Sequence, residues 1–204
     1  LARARTVDEY RDVLESSLEE SIRLSDLIGD LLFLARAESP MMDLRRQPVD
    51  VAELLTVVRE YYEVTASDRG ISLSTAGSTE IITTPMDRPL MLRAVSNLVS
   101  NAIAHTPRGG SVTLAASTAD TEIWIQVSDT GAGIPAEALP RVFDRFFRVD
   151  PSRSRNWGGT SSGGTGLGLA IVQSIMTLHG GTAAIASQQG RGTCVTLRMP
   201  LLTR

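Results

Sequence analysis

The chain has 204 residues, 42% hydrophobic and 21% charged, and its 20 basic against 23 acidic residues leave a net charge of -3. That balance offers no basic excess for a nucleic-acid backbone or an anionic membrane surface. All the basic residues are arginine, which excludes Schiff-base chemistry and the phosphate-binding lysine of a Walker loop, so phosphate would have to be held by arginine, backbone amides or a metal.

In chain order, Thr6 followed by Glu9 forms a capping-box pattern, and no proline interrupts the stretch from there to Ser39. One long helix is predicted. Its stripe of Leu14, Leu18, Ser21, Ser25, Ile28, Leu32 and Ala35, widened by Leu24, Leu27, Leu31 and Leu34, is too broad for the helix to bury alone. The expectation is a bundle completed by another chain or by further residues. The apolar run around Leu31–Ala35 is too short to span a bilayer, and the N-terminus has no signal-peptide core. Pro40 ends the segment, and SPMMDLRRQPVD reads as a short linker.

Beyond the linker the period of the apolar residues alternates between helix and strand. Helices are predicted over residues 51–66, 86–104 and 167–179, and strands at 71–74, 111–117, 121–129, 181–187 and 192–200. The runs at 111–117 and 121–129 meet at the polar turn around Asp120 and read as a hairpin. Hairpins with intervening helices predict an α+β sandwich, a mixed sheet covered by helices on one face. The lone Cys194 cannot form an internal disulfide and sits in the strand-like TCVTLRM as an inert buried residue.

Three segments carry possible chemistry. GGTSSGGTGLG, residues 158–168, holds six glycines and runs directly into an apolar helix. It is either a flexible linker or a loop presenting backbone amides to an anion at a helix N-terminus. DTGAGIP, residues 129–135, puts Asp129 at a strand end before two glycines. This is either a plain turn or a carboxylate beside a cavity, ready to accept from an exocyclic amine. In NLVSNAIAHTP, Asn97 and Asn101 are four apart on one helix face. They are either solvent-facing or amide oxygens suited to Mg²⁺ beside phosphate and water.

The series NLVSNAIAHTP, DTGAGIP, VFDRFFRVD, GGTGLGLAIV and GRGT, in this order and spacing, resembles the catalytic ATP-binding domain of bacterial sensor histidine kinases. These share a superfamily with type II topoisomerases, mismatch-repair ATPases and a heat-shock chaperone. The resemblance covers residues 47–199, and LLFLARAES with FDRFFRVDPSRS is most similar to metal-responsive kinases of the copper or silver type. It implies a Bergerat-type sandwich over residues 41–204, with residues 1–40 as the second helix of the dimerisation domain.

The same resemblance assigns roles. Asp129 takes the adenine amine, supported by Thr193, with Gly131, Gly133 and Ile134 shaping the pocket. Asn101 coordinates Mg²⁺ and Asn97 assists. Gly164, Thr165, Gly166, Leu167 and Gly168 bring amides to the phosphates, and Arg148 contacts the γ-phosphate, with Arg145 the weaker candidate. Family members commonly carry a cation and then an aromatic where this chain has Ala104 and His105, which removes one phosphate contact. His105 either donates to phosphate or faces solvent, and His179 reads as a helix C-cap.

The superfamily's ATPases place a general-base glutamate four residues before the metal asparagine, and Asn97 occupies that position here. An amide cannot take a proton at neutral pH, so slow hydrolysis and phosphoryl transfer to an external nucleophile are expected. In the family the nucleophile is a histidine in a motif continuing Leu-Arg-Thr-Pro, which this chain lacks. The expectation is therefore a kinase core lacking its acceptor histidine, a homodimer through its helical domain. It would use ATP and Mg²⁺, relay to a response-regulator receiver domain, and lie on the cytoplasmic side of a membrane-spanning sensor. The alternatives are an ATPase of the same superfamily, or a nucleotide-binding regulator or serine kinase of an anti-sigma pathway.

Overall fold

The computed structural model describes residues 6–39, 42–77, 82–149 and 165–201. The first element, α1 (Val7–Ala37), begins directly after Thr6. Among its described side chains it buries only Phe33 and Leu34, near its C-terminal end, while Leu14, Leu18, Ile22, Ile28 and Leu32 stay exposed. The unsatisfied stripe expected from the sequence is thus present as an open apolar face. No described helix is long and apolar enough to cross a membrane.

The segment read as a linker ends in a strand, β1 (Gln47–Asp50), followed by α2 (Val51–Asp68), β2 (Ser72–Gly77) and β3 (Thr83–Met86). β1 and β3 pair antiparallel as a separate two-stranded sheet, with Pro48 opposite Pro85. Each strand has a proline in its middle, which removes a ladder donor and masks the strand signal. That is why the sequence reading passed over both. Asp50 then caps α2, its Oδ1 accepting from Ala52 N at 2.8 Å.

The next helix, α3 (Arg88–His105), starts two residues later than its apolar pattern suggested, because Met86 closes β3 and Asp87 is the N-cap. The hairpin of β4 (Ser111–Ala119) and β5 (Glu122–Asp129) follows, then α4 (Gly168–Leu178), β6 (Thr182–Gln188) and β7 (Gly192–Pro200). The main sheet runs β2-β4-β5-β7-β6, with β2 parallel to β4 and every other pair antiparallel. Alternate residues point one way: Val112 and Leu114, Ile123 and Ile125, Val195 and Leu197 are buried under the helices. The opposite face carries Trp124, stacked by Arg198 at 4.6 Å, and Gln126 bonded to Thr196. One covered face and one open face make the predicted sandwich.

His179 does cap α4, but its ring does more than meet a helix dipole. It is 5% exposed, its Nδ1 bonds the Ile175 carbonyl at 2.8 Å, and its Nε2 accepts from Asp87 N at 3.0 Å. That pattern requires a neutral ring protonated on Nδ1. Burial is the main cause lowering its pKa; the Ile175 bond opposes it, Arg46 adds to the lowering and Asp87 counters. The unfolded chain therefore takes up this proton more readily than the folded one. Stability from the neutral ring is complete above about pH 6.5 and is lost as pH falls below that value. Urea unfolding midpoints should decline from pH 7 to pH 5 more steeply in the parent than in His179→Gln; parallel slopes would contradict the assignment.

Candidate functional site

Three neighbouring strands place the candidate groups in one row. Asp129 of β5 pairs with Thr193 of β7, and Thr193 pairs with Ser187 of β6, so the three side chains share the helix-covered face of the sheet. Asp129 Oδ1 accepts from Gly131 N at 2.8 Å and from Thr193 N at 3.2 Å. Among the described residues no donor reaches Oδ2. Burial raises the Asp129 pKa, and the Gly131 and Thr193 amides and His105 oppose that rise. A cleft of about 400 Å³ at this strand end borders Asp129, Ser187 and Thr193, but also Ser128, Ala186 and Cys194, whose side chains belong to the open face of the sheet.

The glycines of DTGAGIP are needed for close backbone approach. A Cβ on Gly131 would collide with the His105 carbonyl, and one on Gly133, at φ +67°, with the Gln188 carbonyl. The loop is tied to the end of α3 by Ala132 N donating to His105 O at 3.3 Å, and to the sheet by Gly190 N donating to Ala132 O at 2.7 Å. Ile134 N donates to Ser187 Oγ at 2.8 Å. Gly192, at φ +103°, lies against the Asp129 carbonyl, where any side chain would clash. Neither Ser187 nor Gly192 was singled out from sequence, although period-two alternation along TAAIAS already places Ser187 on the face of Ala183 and Ile185.

On α3, Asn97, Asn101 and His105 recur every four residues, and Asn97 and Asn101 are partly buried rather than solvent-facing. The first residue of α4 is the reason. Gly168 sits against Asn101 Nδ2 and the Asn97 side chain, and Asn97 Nδ2 donates to Gly168 O at 3.4 Å. The N-terminal amides of α4 therefore open beside both asparagines, the arrangement that favours an anion. Leu167 is buried and its N–H bonds Thr165 Oγ1 at 3.3 Å. Gly164 and the glycines before it lie outside the described residues.

Gly166, at φ +73°, lies against the Phe146 backbone, and its carbonyl accepts from Phe146 N at 2.9 Å. Phe146 itself is at φ 63°, a costly conformation for an aromatic residue. This contact brings the backbone at Phe146 to the start of α4. Arg148 is close enough to act on His105. Desolvation lowers the His105 pKa, Asp129 raises it and Arg148 lowers it further; the ring remains exposed, which screens these effects. Arg145 pairs with Glu38 just past α1.

A second cleft, about 490 Å³, separates α1 from α3 and is lined by Asp26, Asp30, Arg93 and Asn97. Among the described residues no three His, Cys, Asp or Glu side chains converge to hold a metal. A divalent cation here would rest on asparagine oxygen, phosphate and water, a donor set suited to Mg²⁺. A nucleotide likewise suits the acceptor at Asp129 Oδ2, the bare glycine backbone and the α4 N-terminus.

Comparison with known proteins identifies the family and the fold. The sensor protein IrlS of Burkholderia pseudomallei is 44% identical over 98% of this chain and 41% of its own length. The sensor histidine kinase CusS of Escherichia coli K12 is 39% identical over 98% of this chain and 40% of its own. The chain thus spans about two fifths of these relatives. Full-length ShkA, solved in complex with AMPPNP, superposes with a TM-score of 0.84 at 28% identity, over 100% of this chain and 41% of that one. The histidine kinase AdeS of Acinetobacter baumannii shares the fold, with a TM-score of 0.77 at 20% identity over 99% of this chain and 88% of that one. Residues 86–203 match the family described as histidine kinase-, DNA gyrase B-, and HSP90-like ATPase, and the chain belongs to that family.

Proposed function

We propose that this chain is the ATP–Mg²⁺-binding core of a sensor histidine kinase and delivers the γ-phosphoryl group to a histidine that it does not itself carry. The observation that carries the reading is convergence on α3: the Asp129 loop docks at His105, and the α4 N-terminus docks at Asn97 and Asn101. Bound ATP with Mg²⁺ would supply an activated phosphoryl group with its charge neutralised. Asp129 would hold the adenine amine, Gly131, Gly133 and Ile134 would border the base, and Asn101, assisted by Asn97, would hold the cation. Amides of residues 165–168 would face the phosphates, as would that of Gly164, which lies outside the described residues, by the family resemblance, and Arg148 would meet the γ-phosphate. Positioning and charge neutralisation dominate this chemistry.

Asn97 favours transfer over hydrolysis, because an amide cannot deprotonate water at neutral pH. It also lines the cleft facing α1. The division is residues 1–40 as dimerisation helix and 41–204 as catalytic domain. The open stripe of α1 supports a homodimer, and the solved complex of the histidine kinase ThkA with the response regulator TrrA supports a receiver domain as the next acceptor. A membrane-anchored sensor, responsive to copper or silver, completes the reading for the whole protein.

Asp129→Asn replaces one carboxylate oxygen with a donor facing the amine and should weaken ATP binding about ten- to a hundredfold, the scale of a charged hydrogen bond. Unchanged affinity in a calorimetric titration would remove the adenine assignment. Since the Asp129 pKa is raised, affinity should also begin to fall at a higher pH than an ordinary aspartate would give. Incubated with γ-labelled ATP and Mg²⁺, the chain alone should acquire no acid-labile, base-stable phosphate. Label at His105 or His179 would overturn the external-acceptor reading.

A further inference from the structure

We propose that Ser187 is a positioning residue that fixes the hydroxyl proton of Thr193, so that the base end of the site presents only acceptors and selects a purine with a 6-amino group. The inference rests on the nucleotide reading above and goes beyond it by explaining base selection through a residue outside the assigned set.

The argument is a proton count. Ser187 Oγ has three partners: Gly192 O at 2.9 Å, Ile134 N at 2.8 Å and Thr193 Oγ1 at 2.9 Å. A carbonyl only accepts and an amide N–H only donates, so the single serine proton goes to Gly192 O and one lone pair takes the Ile134 N–H. The remaining lone pair is left for the Thr193 hydroxyl proton. Were Ser187 instead to donate to Thr193, the Gly192 carbonyl would lose this hydroxyl donor at 2.9 Å.

Thr193 is then committed on both sides. Its N–H goes to Asp129 Oδ1 and its O–H to Ser187, so its oxygen offers only lone pairs. Asp129 Oδ2 likewise offers only lone pairs. An exocyclic amine, with two N–H groups, complements this end, whereas a 6-oxo purine sets oxygen against oxygen. Sites built to hydrogen-bond a substrate reject an analogue lacking the matching group far more strongly than apolar pockets do. Removing Ser187 frees the Thr193 hydroxyl to rotate and donate, which would accommodate a 6-oxo group.

The test is to titrate the 204-residue chain with ATP and with inosine triphosphate, which differs from ATP in having oxygen in place of the 6-amino group. Ser187→Ala should narrow the ATP-over-ITP preference about tenfold, the scale of one hydrogen bond. Equal weakening of both nucleotides would reduce Ser187 to a support for the Ile134 loop and overturn the proposal. Thr193→Val, which keeps the size and deletes the hydroxyl, should narrow the preference alone, and Ser187→Ala on that background should change it no further. Continued narrowing in the double variant, or an unchanged preference in Thr193→Val, would also overturn it. Asp129→Asn separates the two levels: full ATP affinity there removes the nucleotide reading itself, whereas lost affinity there with an unchanged preference in Ser187→Ala removes only the role of Ser187.

Discussion

Helix α3 is the reference from which the whole candidate site is measured, and its start is held by the buried Asp87. The carboxylate of Asp87 accepts from Leu90 N and from Arg45 N, while its own N–H reaches the His179 ring at the end of α4. One residue thus caps α3, ties down the segment that precedes β1 and joins the far ends of two helices. The opposite end of the pairing is Gly168 against Asn97 and Asn101. With both contacts made, α3 and α4 cannot slide past one another, and the α4 N-terminus opens where the asparagines are.

Three of the glycines that matter are there because backbone passes backbone at distances no Cβ tolerates. Gly131 meets the end of α3, Gly133 meets the β6–β7 turn, and Gly192 meets the carbonyl of Asp129. The result is a carboxylate desolvated enough to have a raised pKa yet steadied by two amides on one oxygen. Leaving the other oxygen available is what turns a strand-end aspartate, ordinarily a turn residue, into a recognition group.

The attachment of α1 is of a different kind. Phe33 and Leu34 bury apolar surface, Arg93 bonds Asp30 at 2.6 Å and stacks over Phe33 at 4.5 Å, and Arg145 pairs with Glu38. Partly exposed ion pairs contribute little each, so the apolar pair carries most of the hold. The helix meets the sandwich along a short length and leaves the rest of its stripe open. The lack of lysine bears on both ends of this arrangement. With Ala104 ahead of His105, every arginine charge near the α1 contact matters, and Arg93 is paired with Asp30 of α1 and Arg145 with Glu38 just past it.

Much of this was legible in one dimension because it rests on local rules. Period 3.6 marked α1 to α4, period 2 marked β4 to β7, and the order of Asn97, Asn101, Asp129, the glycine run and Thr193 carries the resemblance on which the proposed nucleotide site rests. β1 and β3 were hidden because Pro48 and Pro85 weaken the local strand signal, and only their mutual pairing makes them strands. His179 read as a cap because its own helix suggests one; its bond to Asp87 spans 92 residues. Ser187 read as an ordinary strand residue, since its importance comes from lying opposite Thr193, which lies opposite Asp129. The sequence by itself determined all the elements but β1 and β3, the family and the residue types proposed to meet a nucleotide, all of which depend on near neighbours in the chain. Only the tertiary structure decided strand register, the neutral state of His179 and where each hydroxyl proton goes, because those depend on groups that folding alone brings within hydrogen-bond distance.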